Sequence, residues 1–255
     1  MITLANPIKQ KVTGTGITSK NIILLHGLLG TISNWEAVQK KFSGKYSVFI
    51  PELPILNSLQ FGNLLDKLVV YLEDYITLNQ IKQPILIGNS LGGHIALLYT
   101  IKHPDLVSKL ILTGSSGLYE KSFGGSFPRL KDYNYVKNQV EDIFHKKEVI
   151  KRAVVDQVYS IVQSRSNVIS LIRLAREAQK QNLAVHLKQV LLPVLLIWGL
   201  QDKVTPAAVA QQFYELLPNA RLCLINDCGH VPMLEQPELF NQHLEDFLEK
   251  YSYAL

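Results

Sequence analysis

Residues 85–99, ILIGNSLGGHIALLY, form an apolar strand pattern that breaks at G-x-S-x-G and resumes at once as an apolar helix. Few backbones accommodate such a switch. The serine must sit on a tight strand-to-helix corner, with its Oγ projecting from the edge of a sheet. Gly88 and Gly92 flank it because a Cβ at either position would collide with the neighbouring strand or helix. The corner also turns the first amides of the helix toward the space beside Ser90, where negative charge is stabilised. With 15 glycines in 255 residues, a bare G-x-S-x-G arises by chance about 0.05 times. Ser90 is therefore a candidate nucleophile, and the rest of the chain must supply its base and acid.

Both follow in the chain order Ser, Asp, His that this corner uses in hydrolases. Residues 193–199, PVLLIWG, read as a buried strand ending in a turn, and Asp202 lies in the next loop, GLQDKVTP. A carboxylate there holds an imidazole in the required tautomer and stabilises the imidazolium formed during reaction. Its other reading is a turn or N-cap aspartate. A further strand at 221–225 leads into DCGHVPMLEQP, which carries His230 on a Gly/Pro-rich loop ahead of a final helix at about 237–251. Asp227 shares a loop with His230 and is the weaker acid candidate. His94, on the nucleophile helix, reads as a packing or hydrogen-bonding residue.

An oxyanion needs two backbone donors. One is the amide of Leu91, the residue after the candidate nucleophile; the other comes from HGLLG at 26–30, after a strand at 22–25, and is assigned to Leu28.

The segments HGLLG, GNSLGG, WGLQDKVTP and CGHVPMLEQP, in that order over about 21–251, resemble the α/β-hydrolase superfamily. The resemblance implies Ser90 as nucleophile, Asp202 as acid and His230 as base. Gly88-Asn89-Ser90 followed by LTGSSGL at 112–118 is similar to the meta-cleavage-product hydrolases, which break a carbon–carbon bond in dienoate keto acids. Those enzymes carry an arginine in the lid, which Arg165 matches. Asn89, Arg165 and Val231 are accordingly the candidate substrate contacts. Three features depart from the pattern. Val231 stands where the meta-cleavage enzymes usually have tryptophan, HGLLG is poorer in glycine than theirs, and residues 51–58, PELPILNS, replace the glycine-rich turn general in the superfamily. A serine nucleophile excludes the dehalogenase and epoxide-hydrolase branches.

Strand patterns near 22–25, 47–50, 85–88, 109–113, 194–198 and 221–225 alternate with helical stretches. This predicts an α/β fold with a mostly parallel, doubly covered sheet whose carboxyl edges share one side. Residues 1–118 and 189–255 form the core, and 119–188 an inserted helical lid. The lid has a flexible crossing at 120–128 and helical periodicity at 149–164 and 168–181. The motif at 14–16, Gly-Thr-Gly, reads as a short turn or hairpin, too weak for a nucleotide loop. Residues 1–10 lack the pattern of a secretory signal, and no apolar run approaches the roughly 18 residues of a membrane span. Cys223 and Cys228 are the only cysteines, which suits two free thiols in a reducing cytoplasm. The net charge of +5 is carried by scattered lysines, so solubility is its expected meaning rather than nucleic-acid binding. The expectation is a metal-free and cofactor-free serine hydrolase acting on a small-molecule ester, with no nucleic-acid or membrane partner. Carbon–carbon hydrolysis of a keto-dienoate, a lyase of menaquinone synthesis and a slow-turnover ligand receptor are the alternatives; oligomeric state is not legible.

Overall fold

The computed structural model describes residues 12–13, 20–56, 62–120 and 127–250. The turn read at 14–16, the leader region at 1–10, most of the crossing at 120–128 and the end of the last helix at Tyr251 lie outside them.

Among the described residues the sheet has seven strands: β1 (Val12–Thr13), β2 (Asn21–Leu25), β3 (Ser47–Phe49), β4 (Ile85–Asn89), β5 (Lys109–Thr113), β6 (Val194–Gly199) and β7 (Ala220–Ile225). Their order is β1-β3-β2-β4-β5-β6-β7. Only the β1–β3 pair is antiparallel; every other pair is parallel. Parallel strands must be covered on both faces, so they read as continuous apolar runs. Alternation along each strand divides the core in two. Ile22, Leu24, Ile85, Ile87, Ile111, Leu195 and Ile197 face one layer. Ile23, Leu25, Leu86, Leu110, Leu112, Leu196 and Trp198 face the other.

The first layer is closed by α1 (Glu36–Phe42) and α10 (Pro237–Lys250) through Val38, Phe42, Phe240, Leu244 and Phe247. The second is closed by α2 (Leu64–Leu78), α3 (Leu91–Lys102) and α8 (Ala207–Leu216). Each such aliphatic side chain, once fully buried, contributes roughly 1.5–3 kcal/mol. The register aligns Gly88 with Leu112 and Asn89 with Thr113, which sets the ends of β4 and β5 side by side.

Between β5 and β6 lie α4 (Tyr133–Glu141), α5 (Arg152–Val162), α6 (Arg165–Lys180) and the short α7 (Ala184–Leu187). The periodicity at 149–164 and 168–181 corresponds to α5 and α6. Helix α4 escaped the sequence reading because it is short and polar overall, with only Val136 and Val140 buried on it. Its start is set instead by Asp132, whose side chain accepts from the amides of Asn134 and Tyr135. The insertion straddles the sheet edge. Helices α4 and α5 pack with the first layer, and α6 with the second through Leu171, Leu174 and Ala178. Glu177 of α6 accepts from the amides of Leu64 and Leu65 at 2.6 and 3.2 Å, placing a carboxylate on the positive end of α2. Among the described residues no helix is long and apolar enough to cross a membrane.

Candidate active site

Ser90 joins β4 to α3 with φ 53° and ψ −118°. This left-handed conformation costs a non-glycine residue about 1–3 kcal/mol and persists only where its surroundings enforce it. They do so here. A Cβ on Gly88 would strike the backbone of Gly92 and Gly93, and one on Gly92 would strike the carbonyls of Leu25 and His26. The Ser90 amide donates to the Thr113 carbonyl at 3.1 Å, and its carbonyl accepts from the amides of His94 and Ser116. The corner is thus pinned to the end of β5.

Asp202 and His230 follow β6 and β7. Nδ1 of His230 donates to Oδ2 of Asp202 at 2.8 Å, leaving Nε2 as the lone-pair nitrogen. Oδ1 of Asp202 accepts from the amides of Val204 and Thr205 at 2.8 and 2.9 Å, and Thr205 Oγ1 donates to Oδ2 at 2.9 Å. The carboxylate therefore has no freedom to turn away from the imidazole. The two loops are cross-tied as well. The Cys228 amide donates to the Gln201 side chain, and a Cβ on Gly199 would overlap the carbonyls of Cys228 and Gly229. Burial pushes the His230 pKa down, but the charge and hydrogen bond of Asp202, with Glu120 and Glu235 behind it, outweigh burial and hold it above the ordinary 6.5.

Asn89 binds this base to the corner. Its Nδ2 donates to the carbonyls of Thr113 and His230 at 3.0 and 3.1 Å. Both amide hydrogens are thereby committed to protein, so Asn89 braces the corner against the His230 loop. Gly114, at φ +51°, lies under the imidazole; a Cβ there would stand 2.8 Å from Nδ1. Ser90, Asp202 and His230 are 8, 5 and 4% exposed. Among the described residues no hydrogen bond joins Ser90 Oγ to His230.

The loop after β2 abuts the corner: a Cβ on Gly27 would lie 3.2 Å from Cβ of Ser90. Leu91 opens α3, so its amide has no intrahelical partner. Among the described residues neither the Leu28 nor the Leu91 amide donates to a backbone carbonyl. His26 shapes this loop. Its Nε2 accepts from the Leu53 amide at 3.1 Å, so Nδ1 carries the hydrogen and donates to the Gly27 carbonyl at 2.9 Å. Burial lowers its pKa, keeping the ring neutral. The glycine-free segment at 51–55 is thus tied to the loop after β2 through one imidazole.

The remaining candidates separate from the site. Arg165 is exposed at the start of α6 and makes no hydrogen bond or ion pair among the described residues. Val231 is buried in the first core layer. Asp227 is largely exposed, 3.8 Å from His145. His94 is buried near the side chain of Gln181, and burial lowers its pKa to about 4.

Three residues beside the triad candidates were not singled out from sequence. Thr205 was signalled only by its D-x-x-T spacing from Asp202. Glu235, inside a motif read for its histidine, and Glu120, at the start of the insertion, carried no local signal. Glu120 is half-buried and electrostatically coupled to both His230 and Asp202; burial raises its pKa to about 7.

The family described as alpha/beta hydrolase fold matches residues 20–237. The chain is 26% identical to an uncharacterized hydrolase, YugF, of Bacillus subtilis (strain 168), over 90% of each protein. It is 24% identical to a 2-hydroxy-6-oxononadienedioate/2-hydroxy-6-oxononatrienedioate hydrolase of Cupriavidus pinatubonensis, over 92% of this chain and 88% of that one. Among solved structures it is similar to MGS-MChE2, an alpha/beta hydrolase enzyme from a Mar Chica lagoon sediment metagenome. The TM-score there is 0.77 at 33% identity, covering 97% of this chain and 100% of the other.

Proposed function

We propose that this chain, which belongs to the alpha/beta hydrolase fold family, is a serine hydrolase of small, uncharged carboxylic esters. The observation that carries the reading is the 2.8 Å bond between Asp202 and His230, delivered beside a serine held at φ 53°. Ser90 Oγ attacks the ester carbonyl carbon while Nε2 of His230 takes its proton. The carbonyl oxygen becomes an oxyanion held by the amides of Leu28 and Leu91. Collapse breaks the bond to the alcohol oxygen, which leaves with the proton from His230. Water then attacks the acyl-serine, gives its proton to His230, and releases the acid and free Ser90. Because all three side chains are buried, substrate reaches them when part of the insertion moves aside, and its closure excludes water during acylation.

A second reading, hydrolysis of a keto-dienoate, is supported by the similarity to the dienedioate hydrolase. Electrostatics weigh against it. The charges that act on His230 are Asp202, Glu120 and Glu235, all carboxylates, and the one candidate for an anion partner, Arg165, is exposed. Carboxylates near His230 favour a neutral substrate over an anionic one, and less so at pH values where Glu120, its pKa raised to about 7, is protonated.

The deciding experiment compares p-nitrophenyl butyrate with an aryl 2-hydroxy-6-oxo-dienoate, using the native protein and Ser90→Ala. Ester turnover that vanishes in the variant upholds the proposal. Cleavage of the dienoate alone overturns the ester reading. Labelling of Ser90 by a fluorophosphonate without turnover of either points to a ligand receptor.

A further inference from the structure

Glu235 takes no part in the ester chemistry, yet it is a buried carboxylate, 5% exposed, beneath the candidate base. It ends the short helix α9 (Pro232–Glu235). Oε1 accepts from the amide of Gly229 at 2.9 Å, one residue before His230. Oε2 accepts from the amides of His145 and Lys146 at 2.8 and 3.1 Å. Those two residues belong to the insertion, just beyond α4. Beside them the His230 amide donates to the carbonyl of Ile143 at 2.9 Å. One carboxylate and one backbone bond therefore knit the base loop to a turn of the cap. The packing is equally close: a Cβ on Gly229 would lie 2.7 Å from both the His145 nitrogen and the Ile143 oxygen. Charge-assisted bonds of this kind are shorter and about twice as strong as neutral ones, and the carboxylate that makes them is buried.

We propose that Glu235 is a positioning residue that makes the cap turn at 143–146 and the loop carrying His230 a single unit, so that the base is in place only while that half of the cap is seated. This rests on the serine-hydrolase reading. The structure also supplies a signature that a plain structural brace lacks. The carboxylates acting on His230 are Asp202 from the loop after β6, Glu120 from the start of the insertion and Glu235 from α9. Removing the Glu235 charge lowers the pH at which His230 becomes available as a base.

Two variants test this by different routes. Glu235→Gln keeps the shape but offers one acceptor oxygen instead of two, so it releases either Gly229 or the cap amides. Gly229→Ala keeps the carboxylate's charge while its Cβ, 2.7 Å from the cap turn and 2.9 Å from Glu235 Oε1, drives the cap turn off the base loop. We expect both to lose kcat by roughly 10- to 100-fold on p-nitrophenyl butyrate with KM little changed, since misplacing a base by about 1 Å has effects of that order. Only Glu235→Gln should move the acid limb of kcat/KM to lower pH. Amide hydrogen exchange should show residues 143–146 and 229–230 losing protection together in both. Folded variants with native kcat, or loss of protection on one side alone, overturn the proposal. If Glu235→Gln does not fold, Gly229→Ala decides by the same readings. If the native protein turns over no ester, the exchange data and the rate of fluorophosphonate labelling still judge the coupling. Failure of the substrate reading is thereby kept separate.

Discussion

The two regions that meet over Ser90 are held by different physics. At the carboxyl edge of the sheet, backbones touch. Gly88, Gly92 and Gly199 each occupy a place where a single added carbon would strike a neighbouring carbonyl or amide. The cap above is held by narrow stripes: α4 buries Val136 and Val140, α5 buries Val155 and Val158, and the other faces meet solvent. It is fastened to the core at separated points. These include Glu177 on the start of α2, Glu235 under the turn at 143–146, and the Leu183 amide on the Gly117 carbonyl at 2.7 Å. An edge built by contact cannot change by a methyl group, whereas a cap built on stripes can change nearly everywhere.

That contrast breaks most sharply at Ser90. Replacing it with alanine is expected to remove turnover by something near a millionfold, because triad members act as a unit. The fold should stay intact, since alanine bears the same strained φ and loses no hydrogen bond that Oγ makes among the described residues. Steady-state assays with a thermal melt check both halves, and activity within tenfold of native would move the chemistry elsewhere. Asp202→Asn comes next, at about 10⁴-fold in kcat. An amide cannot accept from Val204, Thr205 and His230 at once, so the tautomer or the loop is lost. Native kcat in this variant would leave the 2.8 Å bond without a catalytic role.

The same division explains what could be read from the sequence. The strands were legible because burial on both faces writes an uninterrupted apolar run, as in Ile22 to Leu25, and such runs have few other uses. The corner at Ser90 was legible because its sterics demand glycine at fixed offsets. Thr205 and Glu235 were not, since a single hydroxyl on a neighbouring carboxylate, or a carboxylate whose amide partners His145 and Lys146 are distant in the chain, leaves no periodic trace. The bracing role of Asn89 was hidden for a related reason. Its place beside Ser90 suggested a substrate contact, but its partners, Thr113 and His230, are brought together only by the sheet. In the cap, α4 is short and polar overall, and Arg165 was matched by resemblance to a helix end that proves exposed.

Glu120 lies where the two regions join, and its effect should be smaller. Burial lifts its pKa to about 7, while its charge helps raise that of His230. The base works only when neutral, so activity falls as pH drops through the His230 pKa. Removing the negative charge with Glu120→Gln lowers that pKa, and the acid limb of kcat/KM should move to lower pH. The variant should also tolerate an anionic substrate better. An unmoved limb would disconnect Glu120 from the base and weaken the electrostatic case against the dienoate.

The finest distinction lies within the cap, between its two carboxylate fastenings. Glu177 receives two amides at the start of α2, a 15-residue helix, and touches none of the triad candidates. Glu177→Gln weakens a charge–dipole contact while retaining one acceptor, a loss of about 1 kcal/mol. For a domain of this size that lowers the melting temperature by roughly 2–4 °C. Because α6 covers the second core layer and not the base loop, the change should loosen the substrate-facing wall and appear in KM, with kcat held. Glu235→Gln is expected to do the reverse. Measuring both constants for both variants separates a cap whose halves act independently from one that moves as a rigid plate. If Glu177→Gln lowers kcat as Glu235→Gln does, the plate is rigid, and the seating of His230 depends on the whole cap rather than on the turn at 143–146.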